Sequence, residues 1–280
     1  MPLVAAAAVL LAALLHASWN AIVRFKSDRI VTLALLTGAA GIFSLAMLPF
    51  VQVPAKAAWP WLLASLVLHL GYNSFLATAY NHGELSRVYP LARGTAPLVT
   101  LLVGTYAVGE PLSPHATIGV LLLGCGIAAI AFEKGWRVLL REPRGVILAL
   151  ITSLFISAYS ITDGLGARAS VSAIGYIFYL FVFDGLPLAL FVLATRRRAT
   201  LEAIRSQWIA GCVAGLLSLS AYGIVIWAMT LAPIALVAGL RETSVVFALA
   251  IGVVFLGESL TVMRVMASLV VLAGLLLTRL

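Results

Sequence analysis

Apolar residues fall in blocks of about twenty along this chain, separated by short polar connections, and an α-helix needs a block of that length to cross the hydrocarbon of a bilayer. Ten blocks qualify, at about 3–23, 30–50, 60–80, 87–107, 114–132, 144–163, 172–194, 208–229, 233–256 and 262–279. Pro60, Pro114, Pro143 and Pro233 stand at or just before first turns, where a missing backbone N–H is tolerated. Gly109 and Gly257 follow long apolar runs and read as helix C-caps. Trp59, Trp61, Trp136 and Trp208 cluster at block edges, as an interfacial belt of anchoring residues does.

The blocks also repeat. Arg93, Gly109, Glu110, Leu112 and Gly126 are matched by Arg241, Gly257, Glu258, Leu260 and Gly274 at a single offset of 148 residues. His16-Ala17-Ser18-Trp19-Asn20 lies more weakly over Ile156-Ser157-Ala158-Tyr159-Ser160 at an offset of 140, which small insertions between the two matches explain. The chain therefore reads as a duplication, residues 1–140 and 141–280, with five helices in each copy. Five is odd, so the copies must lie upside down relative to one another. Inverted repeats of this kind build many secondary transporters, with the substrate near the bilayer midplane between them. The expected fold is an all-α membrane protein of ten transmembrane helices, arranged as two inverted five-helix repeats.

Composition narrows the function classes. Hydrophobic residues make up 63% of the 280, charged residues 10%, and mean hydropathy is +1.12; soluble domains carry about 25% charged residues. Ten spans leave no room for a soluble catalytic or nucleotide-binding domain. The net charge of +8 does not indicate nucleic acid, because most of the Lys and Arg sit in connections where they orient helices. One set of connections holds Arg24, Lys26, Arg29, Arg87, Lys134, Arg137, Arg141, Arg144, Arg196, Arg197, Arg198, Arg205 and Arg264. The opposite set holds Lys56, Arg168 and Arg279, and the last two basic residues, Arg93 and Arg241, lie inside spans. The positive-inside rule then puts the first set in the cytoplasm and both termini outside. Met1-Pro2-Leu3 has no basic n-region, so the first block is expected to be a retained span, not a cleaved signal peptide. Cys125 and Cys212 lie in apolar blocks and read as packing residues, not a disulfide.

Polar residues inside the blocks carry the candidate chemistry. An arginine at the bilayer centre costs about 2.5–3.5 kcal/mol on insertion scales. Arg93 and Arg241 lie roughly 9–12 Å deep at the helical rise, and so either snorkel towards the interface or grip an anion bidentately. Glu242 follows Arg241, and neighbours on a regular helix project about 100° apart, so the two are not expected to face each other. Glu242 is a candidate partner for Arg93, a proton site, or a partner for a substrate amine. Its counterpart in the first copy is Gly94, so the duplication is asymmetric there. Asp184, close before Pro187, is a second candidate proton or charge site, or else holds a kink. His16, Asn20 and Arg24 form a polar stripe with Trp19 beside it; Ser153, Ser157, Ser160 and Gly164 form the matching stripe, which suits plain helix packing. Tyr72, Asn73, Tyr80, Tyr222 and Trp227 are candidate aromatic and polar walls, while His69 and His115 read as packing or span-end residues. No His, Cys or Asp spacing suits a metal, and no GxxxxGK[ST], HExxH or GxSxG motif is present. The sequence thus points away from an enzyme and calls for no metal or other cofactor.

The chain resembles the EamA branch of the drug/metabolite transporter superfamily over essentially its whole length. The resemblance rests on the span count, the duplication, His16-Ala17-Ser18-Trp19-Asn20, Leu240-Arg241-Glu242-Thr243-Ser244 and the Gly-Glu pairs at 109–110 and 257–258. It implies a multi-pass protein of the bacterial inner membrane that moves small metabolites without ATP. It also implies a central cavity lined by Trp19, Asn20, Tyr72, Tyr80, Arg93, Tyr159, Tyr222, Trp227, Arg241 and Glu242. Well-described relatives are drawn with cytoplasmic termini, opposite to what the loop charges give here. The leading expectation is export of a carboxylate-bearing metabolite, an amino acid foremost. Phosphonates, organophosphates or drugs are the runner-up substrates, and a membrane scaffold or lipid-processing enzyme is the alternative of a different class. Substrate, coupling ion, transport direction and oligomeric state are not fixed by the sequence.

Overall fold

The computed structural model describes residues 1–24, 29–133, 135–137, 141–257 and 260–278. Lys26, Lys134, Glu258 and Arg279, and the side chains of Arg24 and Arg29, fall outside that description. Every regular element among the described residues is helical: α1 (Leu3–Arg24), α2 (Arg29–Met47), α3 (Trp59–His82), α4 (Leu85–Val103), α5 (Pro114–Ile130), α6 (Pro143–Ala169), α7 (Ala173–Thr195), α8 (Arg197–Met229), α9 (Ile234–Arg241), α10 (Ser244–Leu256) and α11 (Val262–Leu277). Among the described residues, eight helical stretches are long and apolar enough to cross a bilayer, α9 and α10 together forming one of them. α5 and α11 are apolar but shorter; at 1.5 Å per residue each is roughly 25 Å long.

The punctuation residues act as their chemistry requires. Pro60, Pro114 and Pro143 occupy first turns, and Pro233 is the N-cap of α9. α4 runs on through a π-helical turn, Gly104–Val108, and ends at Gly109 with φ +78°; α10 ends at Gly257 with φ +65°. A left-handed residue turns the chain sharply after a helix, and only glycine adopts it at no steric cost. Two helices are longer than their apolar blocks. α6 continues past residue 163 to Ala169, and α8 begins at Arg197, where Arg198 pairs with Glu202 one turn on.

Helices of the first half pack mainly on helices of the second. α3 lies on α6 and α1 on α8; α2 lies on α7, α5 on α11, α4 on α6, and α1 on α9 and α10. Small residues allow the close approaches that hold helices together in lipid. A side chain at Gly274 would meet the carbonyl of Gly119 at 2.7 Å, and one at Gly215 would meet the carbonyl of Leu36 at 2.6 Å. The serine stripe works in the same way: Thr100 of α4 donates to Ser157 of α6 at 3.0 Å, while Ser153 and Ser160 bond back to their own helix. Cys125 and Cys212 are free and exposed on outward faces, not packed inside.

Candidate functional site

The site begins at a break in a helix. α9 stops at Arg241, and the next N–H groups reach only three residues back: Glu242 to Gly239 at 3.1 Å, Thr243 to Leu240 at 3.1 Å and Val245 to Glu242 at 3.0 Å. The regular spacing is lost between α9 and α10, and with it the 100° divergence expected of neighbouring side chains. Arg241 Nη2 and Nε lie 3.1 and 3.3 Å from Glu242 Oε1, so the adjacent pair is ion-paired after all.

A second guanidinium approaches from α4. Arg93 Nε lies 2.9 Å from Glu242 Oε2, although the N–H is not aligned for a full hydrogen bond. Glu242 is wholly buried, and the two arginines are 3% and 4% exposed. An isolated charge so far from water would be prohibitive, whereas a carboxylate between two guanidiniums compensates the desolvation of all three. The trio keeps one net positive charge. Arg93 Nη2 is also 3.4 Å from His16 Nε2, and the guanidinium lies 5.9 Å over the Tyr89 ring. Arg241 lies 6.0 Å over the Tyr222 ring. Aromatic faces support cations in this way.

Rings from α1, α3, α6 and α8 stand beside the charges. His69 stacks on Tyr159 at 4.3 Å, and Tyr72 and Tyr222 meet Tyr159 edge-on at 5.6 and 6.0 Å. Trp19 meets His16 edge-on at 5.1 Å, and its buried Nε1 has no acceptor among the described residues. The other expected wall residues stand differently. Asn20 donates to His16 O on its own helix, Tyr80 packs in the apolar cluster of Val88 and Leu91, Trp227 packs between two apolar clusters, and Asn73 is exposed.

Asp163 of α6 is a buried carboxylate that sequence reasoning missed. It is fully buried and accepts from Tyr176 at 3.1 Å and Tyr222 at 2.5 Å. Residue 163 closes the apolar block 144–163 and so looked like a span edge, but α6 continues for six more residues. Asp184 is half-buried on α7 and makes no hydrogen bond or ion pair among the described residues. Among those residues, no group of three or more His, Cys, Asp and Glu could hold a metal ion.

The two ends of the bundle differ. At one end Glu110 pairs with Arg168 and accepts from the N–H of Ile234 at 2.9 Å, while Arg168 also donates to the carbonyls of Met229 and Ala232. At the other, Arg87 is a buried helix residue, not a free connection charge, and pairs with Glu142 at 2.6 Å and Glu84 at 3.4 Å. Arg264 there pairs with Glu133 at 3.1 Å. A cleft of about 600 Å³ opens between these two arginines, and one of about 250 Å³ lies at the opposite end beside Pro111 and Pro233.

The model of the EamA-like transporter family matches twice, over residues 3–132 and 143–280. The chloramphenicol-sensitive protein RarD of Pseudomonas aeruginosa is 32% identical over 219 residues, covering 73% of this chain and 68% of that protein. A crystal structure of a protein 17% identical in sequence matches with a TM-score of 0.76, over 99% of this chain and 98% of its own; that likeness concerns the fold alone.

Proposed function

Because the chain belongs to the EamA-like transporter family, and is thus an integral protein of the bacterial inner membrane that handles small molecules, we propose that it is a secondary carrier of carboxylate-bearing metabolites, amino acids foremost. In this reading residues 1–140 and 141–280 are two inverted five-helix repeats that rock around a shared site. Two observations support that architecture. The family model matches each half separately, and the packing is reciprocal: α3 on α6 mirrors α1 on α8, and α4 on α6 mirrors α1 on α9 and α10.

The observation that carries the substrate class is Glu242 between Arg93 and Arg241. The protein's own carboxylate already occupies the position that a substrate carboxylate would take. One net positive charge remains, which suits a single carboxylate better than a phosphonate dianion. A zwitterion would give its carboxylate to Arg93 or Arg241 and its ammonium to Glu242, so the buried trio would exchange one set of ion pairs for another without stranding a charge. Trp19, Tyr72, Tyr159 and Tyr222 would cover the bound molecule, with Asn20, Tyr80 and Trp227 supporting the walls behind them.

The test is uptake of labelled L-amino acids by purified protein in liposomes. Arg241→Ala is expected to lower the rate at least tenfold, while Asp184→Asn, away from the trio, stays near wild type. A wild-type rate for Arg241→Ala removes the assignment. Inhibition by phosphonates but not by amino acids would transfer it to the dianion class.

A further inference from the structure

The site proposed above makes no use of Asp163, although the structure builds a close setting for it. Its carboxyl has no exposed surface. Each oxygen is held by a phenol from another helix, Oδ1 by Tyr176 of α7 and Oδ2 by Tyr222 of α8. The Tyr176 ring lies against α6 where Gly166 leaves room for it, since a side chain there would fall 2.6 Å from the phenol oxygen. From α3, Ser65 and His69 face the same carboxyl and bond to each other at 3.1 Å. Tyr159, one turn earlier on α6, stacks on that histidine, and Arg241 lies behind the Tyr222 ring.

No Lys, Arg or His lies within ion-pairing distance of Asp163 among the described residues. Glu242 has two guanidiniums against it, whereas Asp163 has only neutral hydroxyls in direct contact and an imidazole nearby. A bare carboxylate in such a place is strongly disfavoured, and ionisable groups inside membrane bundles mark ion or proton pathways. The contacts favour a proton over a metal ion: the phenols spend their hydrogens on the carboxyl, and no multi-residue metal cluster occurs among the described residues.

We propose, on the premise that the protein is a carrier, that Asp163 is the proton-binding site of its transport cycle and that Tyr222 links proton occupancy to the Arg241–Glu242 pair. The ionised carboxyl accepts from both phenols. A proton arriving on Oδ2 makes that oxygen a donor and a much weaker acceptor, so the Tyr222 phenol is driven to accept from it or to turn away. The same ring supports the Arg241 guanidinium and meets Tyr159 edge-on, so its turn reaches both the charge trio and the aromatic wall. The only exchange is one proton taken from water on one side and returned to water on the other.

Infrared difference spectra of the full chain in lipid nanodiscs, recorded across a pH series, test this without any substrate. Wild type is expected to show a protonated-carboxyl C=O band that titrates. The band should survive in Asp184→Asn, disappear in Asp163→Asn, and titrate at a different midpoint in Tyr222→Phe, which keeps the ring and loses the hydroxyl. Asp163→Glu, which retains a carboxyl, should return a titrating band at a new position. Absence of the band in wild type, or an unchanged band in Asp163→Asn, overturns the proposal. In liposomes containing a pH-sensitive dye, addition of a mixture of L-amino acids should move protons with wild type and at least tenfold fewer with Asp163→Asn; equal proton movement also overturns it. Failure of wild type to transport amino acids counts against the substrate reading alone, and the spectra still decide the role of Asp163.

Discussion

Arg168 of α6 and Glu110, on the connection after α4, form an ion pair across 58 residues of sequence and tie the two halves of the chain together. The guanidinium uses its whole fork there: Nε donates to Met229 O at 2.8 Å, Nη1 to Glu110 and Nη2 to Ala232 O at 2.9 Å. The other Glu110 oxygen accepts from Ile234 N–H, which is among the first free donors of α9. A lysine has one compact ammonium and cannot point in three fixed directions. Arg168→Lys is therefore expected to destabilise the protein nearly as much as Arg168→Ala, by about 1–3 kcal/mol for the orphaned partners. Thermal unfolding in detergent measures this, and a wild-type midpoint for Arg168→Lys would refute it.

At Glu242 the expectation follows from burial. Glu242→Gln leaves two guanidiniums buried together without a counter-charge, and breaking a buried pair from one side costs about 3–5 kcal/mol. Arg241→Met combined with Glu242→Gln removes one charge of each sign, so the double variant should be more stable than Glu242→Gln alone. Additive losses in a double-mutant cycle would mean that the two side chains do not act as a pair.

Gly94 and Glu242 occupy matching places in the two copies, and their difference has a packing cause. A side chain at Gly94 would lie 2.7 Å from the carbonyl of Gly124 and against the backbone of Ala128 on α5. No carboxylate fits there. Gly94→Ala should cost about 1–3 kcal/mol from overpacking against backbone that cannot yield. Gly104→Ala, whose new methyl would meet only the Ala235 side chain at 3.5 Å, should be neutral. Equal melting temperatures for the two variants would contradict this account.

These positions also show what the sequence made legible. Apolar block length and the offset of 148 located the helices and singled out Arg93, Arg241 and Glu242, because charge inside an apolar block stands out without knowledge of the fold. The sequence did not show where α9 ends, so the Arg241–Glu242 pair was hidden behind the geometry of an unbroken helix. Arg87 looked like a loop charge because its closer partner, Glu142, is brought to it only by tertiary packing, while Glu84 lies three residues before it. Asp163 stood at the edge of an apolar block, and the phenols that hold it come from α7 and α8. The missed features are those that depend on which helices meet.

Tyr159 separates packing from transport. Its ring meets His69, Tyr72 and Tyr222, and aromatic contacts of this kind are worth about 0.5–1.5 kcal/mol each beyond buried area. Its hydroxyl makes no hydrogen bond among the described residues. Tyr159→Ala should therefore destabilise by about 3–5 kcal/mol, as large-to-small changes of buried aromatics do, whereas Tyr159→Phe should keep the wild-type melting temperature. If that hydroxyl faces the transported molecule, Tyr159→Phe should still raise the KM for amino-acid uptake severalfold with little change in maximal rate. A wild-type KM would confine Tyr159 to holding the aromatic wall, and a lowered melting temperature for Tyr159→Phe would show that its hydroxyl serves the fold.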